Sequence, residues 1–168
     1  GTLSVGTHTY RWEASDGTTT VMLPQPPLPR LSGPTVNNRA PVLSQAGATP
    51  RLNPISGPST AEYVYTVRYT DADNDGPTNN AVSLLLDGQT IQMVAKDPSD
   101  KNYTDGADFE YRQVGLAAGT THTYQFNASD GYDSVTWPAT AAVGPAINNP
   151  PVLSNPAYTP TKPTAADP

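Results

Sequence analysis

The sequence predicts an all-β protein with many turns. Charged residues make up only 14% of the 168 positions, whereas Gly and Pro together number 32. The regular segments are rich in Thr, Val, Tyr and Ser, and their apolar residues alternate with polar ones, as in half-buried strands. No stretch shows the 3.6-residue periodicity of an amphipathic helix. The sequence also contains an internal duplication.

Two blocks of sequence recur in the same order. Residues 6–17 (GTHTYRWEASDG) return as residues 120–131 (TTHTYQFNASDG), at an offset of 114. Residues 33–44 (GPTVNNRAPVLS) return as residues 144–154 (GPAINNPPVLS), at an offset of 111. This pattern predicts tandem repeats of about 111–114 residues. We therefore expect 1–37 to be the C-terminal part of a preceding repeat, 38–147 a complete repeat, and 148–168 the start of the next.

The complete repeat contains seven predicted strands. The first covers 41–44, and a Pro/Gly-rich connection, 47–58, leads to the second, 62–70, whose residues 63, 65, 67 and 69 share the predicted core face. The third strand, 81–86, turns at Asp87-Gly88 into a return strand, 90–95. The last three strands are 109–116, 122–129 and 134–142. Seven short strands in this length predict an immunoglobulin-like Greek-key β-sandwich.

An acidic loop follows the second strand. Asp71, Asp73 and Asp75, followed by Gly76, match the first half of an EF-hand loop, but Val82 stands where that loop has its bidentate Glu. If the strands run alternately up and down, three loops lie at one end of the repeat: 71–76, 96–108 and 129–133. We call this end the acidic pole, because it carries nine of the ten Asp residues in 38–147.

Carboxylates this dense, with no Cys and little His, favour a hard cation, and an irregular donor set favours Ca²⁺ over Mg²⁺. The alternative is that these residues form solvated turns, where screening makes their repulsion weak. The candidate calcium ligands are Asp71, Asp73, Asp75, Asp97, Asp100, Asp105 and Asp130.

Other features exclude or favour function classes. His8 and His122 hold the same place in both copies beside aromatic residues, which predicts packed core histidines. The sequence lacks a nucleophile-elbow signature, so we expect no enzyme. Only nine Lys and Arg are scattered along a chain of net charge −6, so nucleic-acid binding is not expected, and no apolar run is long enough for a membrane span. The sequons at Asn102 and Asn127 are candidate glycosylation sites.

Residues 116–131 (LAAGTTHTYQFNASDG) resemble the corner before strand F, and strand F itself, of fibronectin type III and related bacterial immunoglobulin-like repeats. Residues 70–73 (TDAD) and 148–153 (NNPPVL) are similar to two cadherin elements, which in cadherins bind calcium between successive domains. Taken together, the chain is similar to the tandem repeats of large bacterial or archaeal cell-surface proteins, including surface-layer proteins.

The resemblance implies an extracellular structural repeat of a surface layer, sheath or fibre, with calcium rigidifying its loops and repeat junctions. The implied partners are adjacent repeats and further copies in a lattice or fibre. The alternative is a polysaccharide-binding or adhesive module of a large secreted enzyme or adhesin. A row of exposed aromatic side chains on one sheet would favour that alternative.

Overall fold

The computed structural model describes residues 3–80 and 82–154. Within these ranges it contains fifteen β-strands, one turn of 3-10 helix at Thr78–Asn80 and no α-helix, which confirms the predicted all-β class. No helix in the described ranges is long and apolar enough to cross a membrane. Most of the predicted start of the next repeat, from residue 155 onward, lies outside the described residues.

The N-terminal part forms a four-strand ribbon, which we call the N-terminal hairpin. Its strands are β1 (Gly6–Tyr10), β2 (Trp12–Ser15), β3 (Thr20–Leu23) and β4 (Leu31–Val36). β1 pairs with β4 and β2 with β3, both antiparallel, so the chain runs out along β1 and β2 and returns along β3 and β4. The apolar side chains of this ribbon are largely exposed.

The remaining strands belong to the predicted complete repeat. In chain order they are β5 (Val42–Ser44), β6 (Leu52–Asn53), β7 (Ser56–Gly57), β8 (Tyr63–Thr70), β9 (Ser83–Leu86), β10 (Gln89–Gln92), β11 (Val94–Ala95), β12 (Ala107–Gln113), β13 (Thr123–Ser129), β14 (Ser134–Val143) and β15 (Ala146–Ile147).

Two main sheets share one hydrophobic core. The first has the order β11-β12-β8-β5, with β6 also paired to β8, and the second has the order β10-β9-β13-β14. Alternation decides which side chains fill the core: Tyr63, Tyr65, Val67 and Tyr69 of β8 are each 0% exposed, as predicted. From β13 the core takes the alternate residues of the second sheet, including Phe126.

The predicted single strand over 90–95 is wrong. The segment is divided between the sheets, because β10 pairs with β9 while β11 pairs with β12. Met93 lies between the two strands, buried in the core. The predicted loop 47–58 also contains two short strands: β6 joins the first sheet, and β7 pairs in parallel with β15. The Asp87-Gly88 turn joins β9 to β10 as predicted, and both residues have positive φ.

Candidate functional site

The strand pairings bring two of the acidic loops into contact at the acidic pole. β12 pairs antiparallel to β8, with Ala107 opposite Tyr69, so the loop that precedes β12 lies beside the loop that follows β8. The backbone amide of Asp71 donates to the Tyr103 carbonyl at 2.9 Å, and the Tyr103 amide donates to Asn74 Oδ1 at 2.7 Å. These two bonds fix the loops to one another.

Asp71 is the most deeply buried carboxylate of the pole, with only 2% of its surface exposed. Its Oδ1 accepts hydrogen bonds from the backbone amides of Asp73 and Asp75, both at 2.9 Å, so one oxygen stabilises the turn itself. Its Oδ2 is buried and has no hydrogen-bond partner in the structure. A buried carboxylate oxygen without a partner is costly, and a bound cation would satisfy it.

A second orphaned oxygen comes from the linker. Asn38 donates through Nδ2 to Asp130 Oδ2 at 2.9 Å and to Asp133 Oδ2 at 2.7 Å, while its own Oδ1 is buried without a partner. Asp130 is only 7% exposed. Burial acts to raise the pKa of Asp130, but bonds from Asn38 and from the amides of Asp133 and Tyr132 hold the pKa below its usual value.

The pKa of Asp75 is shifted in the opposite direction to that of Asp130. Burial, followed by the charges of Asp71, Asp130 and Asp73, raises the pKa of Asp75 above its usual value. Burial together with Asp71, Asp130 and Asp75 likewise raises the pKa of Tyr69, whose hydroxyl donates to the Asp75 carbonyl at 2.9 Å. The structure therefore places three carboxylates, those of Asp71, Asp130 and Asp73, within electrostatic reach of Asp75.

The linker also reaches Asp73. The backbone amide of Arg39 donates to Asp73 Oδ2 at 2.7 Å, and Arg39 Nε lies 4.0 Å from Asp73 Oδ1. Two consecutive linker residues, Asn38 and Arg39, thus contact two different loops of the acidic pole. Asn38 and Asp133 were not among the predicted ligands; the one signal for Asn38 in the sequence was that the linker had to enter at this end.

The other three predicted ligands are not brought into this group. Asp97 accepts from the Ser99 amide at 2.9 Å and hydroxyl at 2.6 Å, bonds that lower its pKa, and Asp100 accepts from the Asn102 amide at 2.9 Å. Asp105 is exposed near Arg68. Across residues 3–80 and 82–154, no three His, Cys, Asp or Glu side chains form a group arranged to hold a metal ion. Any cation here would therefore also need amide, backbone or water oxygens.

The acidic pole faces the N-terminal hairpin. A cleft of about 610 Å³ separates them, lined on the hairpin side by Leu3, Ser4, Val5 and Val36 and on the other side by residues 72–75 of the acidic loop. Asp73 and Asp75 thus border both the pole and the neighbouring structural unit. We call this cleft, with the linker residues 37–41 beside it, the junction.

The two sequons differ in their surroundings. Asn102 lies exposed in its loop, with Oδ1 accepting from the Thr104 hydroxyl at 2.6 Å. Asn127 is half-buried on β13, where its Oδ1 accepts from Thr136 on β14 at 2.7 Å. An exposed loop offers better access to a glycosylating enzyme than a strand in the middle of a sheet.

No protein-family model matches this chain, and no curated protein matches it.

Proposed function

We propose that the chain is a segment of an extracellular structural protein built from tandem immunoglobulin-like repeats, which calcium stiffens at the junctions. The observation that carries the proposal is the linker itself: Asn38 and Arg39 bind the acidic loops 129–133 and 71–76 at the point where the N-terminal hairpin meets them. A linker that is bonded to two loops of the repeat it leads into suits a rigid array better than a string of independent modules.

The N-terminal hairpin supports the tandem arrangement. Tyr10 and Trp12 occupy the register of Tyr124 and Phe126, yet they are 41% and 66% exposed, whereas their counterparts are 3% and 0% exposed. In the complete repeat that face is covered by the first sheet. The hairpin therefore carries the core face of a repeat, and in the proposed array the remaining strands of the preceding repeat cover it.

The sheet order supports the immunoglobulin-like assignment. One sheet pairs the first, second and fifth predicted strands (β5, β8 and β12), and the other pairs the third, sixth and seventh (β9, β13 and β14). The connections from β8 to β9 and from β12 to β13 pass between the sheets, and the neighbours within each main sheet are antiparallel. This division of strands is the one expected for a Greek-key sandwich.

Calcium is the cation that the donor chemistry favours. Asp71 Oδ2 and Asn38 Oδ1 are the orphaned oxygens, and Asp75 and Asp130 supply carboxylates beside them. Carboxylate and amide oxygens in a flexible, irregular set are typical of Ca²⁺ sites. Because the donors come from two loops and the linker, a bound ion would add its binding free energy to the arrangement that holds all three together.

The alternative, a polysaccharide-binding module, has less support. Among the described residues of 38–147, Tyr132 is the one aromatic residue with a large exposed side chain, and the other rings are buried or half-buried. A single exposed ring is not the row on a sheet that sugar stacking favours. Aromatic residues placed in the core favour a scaffold.

The proposal is tested by calcium titration of the 168-residue chain, followed calorimetrically and by thermal unfolding. We expect calcium to bind and to raise the melting temperature, and magnesium at the same concentration to raise it less. A melting curve that does not move between excess calcium and a chelator would refute the calcium part of the proposal.

A further inference from the structure

The opposite end of the repeat contains a buried histidine whose two ring nitrogens both face oxygen acceptors. His122, 5% exposed, places Nδ1 at 2.6 Å from Asp87 Oδ2 and Nε2 at 2.9 Å from the Ala117 carbonyl. The Thr120 hydroxyl lies 3.2 Å from the same Nε2. An imidazole can donate from both nitrogens at once only when it is protonated.

This contact joins two separate parts of the fold, the β9–β10 turn and the loop before β13. Asp87 is the first residue of the β9–β10 turn, Ala117 belongs to the loop before β13, and His122 immediately precedes β13. Asp87 also accepts from the Thr123 amide through its Oδ1, at 2.8 Å. The Asp87 carboxylate therefore connects the β9–β10 turn to the start of β13, and His122 connects that carboxylate to Ala117 in the loop before β13.

We propose that His122 and Asp87 form a pH-sensitive latch, which fastens the loop before β13 to the β9–β10 turn while the imidazole is protonated. When the imidazole loses its proton, one ring nitrogen becomes an acceptor. If Nδ1 keeps its proton for Asp87, the Nε2 lone pair faces the Ala117 carbonyl at hydrogen-bond distance, and that bond is lost. The loop is then held only by its remaining contacts.

The charged and titratable groups around the latch set its balance. Asp87 comes from the β9–β10 turn, Tyr65 from β8 and Tyr124 from β13, and Arg51, before β6, lines the same cleft as His122. Burial acts to lower the pKa of His122, but the bonds to Asp87 and Ala117 and the charge of Asp87 raise it overall. The guanidinium of Arg51 lies 5.9 Å from the centre of the Tyr124 ring. Among these side chains, it is the one positively charged group besides the imidazolium.

The pH window follows from this direction. Because the pKa of His122 is higher in the folded protein than the ordinary value of 6.5, the folded state binds the proton more tightly than the unfolded chain. The stabilisation is therefore complete below that ordinary value and is lost as the pH rises through the folded pKa. The latch is fastened below pH 6.5 and loosens as the pH rises through the pKa of His122 in the folded protein.

The equivalent histidine of the N-terminal hairpin shows what the latch requires. His8 occupies the same register, and its Nε2 lies 2.6 Å from the Ser4 carbonyl. In the described part of the chain no carboxylate pairs with His8, because the hairpin has no counterpart of the β9–β10 turn beside it. The carbonyl contact is thus common to both copies, and the paired carboxylate belongs to the complete repeat.

The test is an NMR titration of the His122 ring in the whole chain carrying His8→Gln, so that a single histidine signal remains. We expect the pKa of His122 to exceed that of the same histidine in the denaturant-unfolded chain. The free energy of unfolding should then fall as the pH rises from the ordinary imidazole value of 6.5 through the pKa of His122 in the folded protein. A pKa equal to or below the unfolded value would overturn the proposal without any variant at position 87.

Asp87→Asn is the diagnostic substitution. Asp87 has a φ of 51°, which Asn tolerates well, and an Asn oxygen can still accept from the Thr123 amide. We expect the variant to fold, to lower the pKa of His122 and to flatten the pH dependence of stability. Asp97→Asn, an exposed carboxylate in the acidic pole, is the matched control and should leave that dependence unchanged. Persistence of the full dependence in Asp87→Asn would refute the latch.

Discussion

Asn38 donates from one side-chain amide to two carboxylates 92 and 95 residues further along the chain, Asp130 at 2.9 Å and Asp133 at 2.7 Å. Bonds to charged acceptors are the stronger ones, and removing the amide would leave Asp130 buried with one oxygen unsatisfied. We expect Asn38→Ala to destabilise the complete repeat by about 1.5–3 kcal/mol. Chemical denaturation measures this loss.

The neighbouring asparagine provides the control for that prediction. Asn37 is exposed in the same linker, and exposed substitutions away from packing or capping contacts usually change stability by less than about 0.5 kcal/mol. Equal effects of Asn37→Ala and Asn38→Ala would mean that the linker bonds contribute nothing specific to the stability of the junction.

Asp71→Asn should abolish most of the calcium response. The substitution keeps one oxygen to accept the Asp73 and Asp75 amides, but it removes the negative charge of the buried carboxylate. With free calcium at about 100 times its dissociation constant, binding stabilises the wild type by about 2.7 kcal/mol per site. We expect this increment to shrink strongly in Asp71→Asn and to persist in Asp97→Asn, as measured by melting with calcium and with chelator.

Asp87→Asn, by contrast, is not a suitable charge control for calcium binding. Asp87 lies at the far end of the repeat, but its carboxylate bonds both His122 and the Thr123 amide. A loss of stability in that variant would report on the His122 contact. Asp97 is the cleaner comparison, because it is exposed, lies in the acidic pole and makes its contacts within its own turn.

Asp75→Asn should have opposite effects with and without calcium. The raised pKa of Asp75 means that its charge is less favourable in the folded state than in the unfolded chain at neutral pH. Removing that charge should stabilise the metal-free protein by up to about 1 kcal/mol, and the same change should weaken the calcium response. A variant less stable than the wild type in chelator would show that the surrounding carboxylates do not strain the folded state.

The repeat itself supplies a matched pair of aromatic positions. Phe126, 0% exposed, stacks on Trp137 with ring centres 5.9 Å apart, whereas Trp12 in the equivalent register is 66% exposed. Phe126→Ala should cost about 3–5 kcal/mol, because it removes a large buried ring and leaves a cavity. Trp12→Ala should cost less than about 1 kcal/mol in this chain, since its main ring contact is with Tyr10. Denaturant unfolding of both variants measures the difference.

The sequence predicted the parts of the fold that depend on local pattern. The alternation of β8 identified the buried face from Tyr63 to Tyr69, and the Asp87-Gly88 pair identified the hairpin turn between β9 and β10. The division of 90–95 could not be predicted in this way. Ile91 and Met93 continue one apolar alternation across the boundary between β10 and β11. The two strands belong to different sheets, but both sheets face one common core, so the alternation does not change where the chain crosses from one to the other.

The candidate site was harder to predict because its decisive contacts are long-range. Asp71, Asp73, Asp75 and Asp130 were predicted, and the charges of the other three act on Asp75, but the bonds from Asn38 to Asp130 and Asp133 could not be read from the sequence. Asp97 and Asp100 accept an amide two residues ahead in their own turns, as Asp71 also does, so this local bond does not separate them. The difference is burial, since Asp71 and Asp130 are buried whereas Asp97 is exposed. The number of carboxylates in a loop does not show which of them are buried in the folded protein.

At the junction, Asp73 and Asp75 border the cleft that Leu3, Ser4 and Val36 line from the hairpin side. If calcium binds the acidic loop and the linker together, it should fix the hairpin relative to the complete repeat. Small-angle scattering of the whole chain with calcium should then give a narrower distance distribution than scattering with chelator, whereas Asp71→Asn should show no such narrowing. A distribution unaffected by chelation, in a chain whose melting temperature calcium does raise, would place the ion wholly within the loops of one repeat. The rigidity of the junction would then come from Asn38, Arg39 and packing alone.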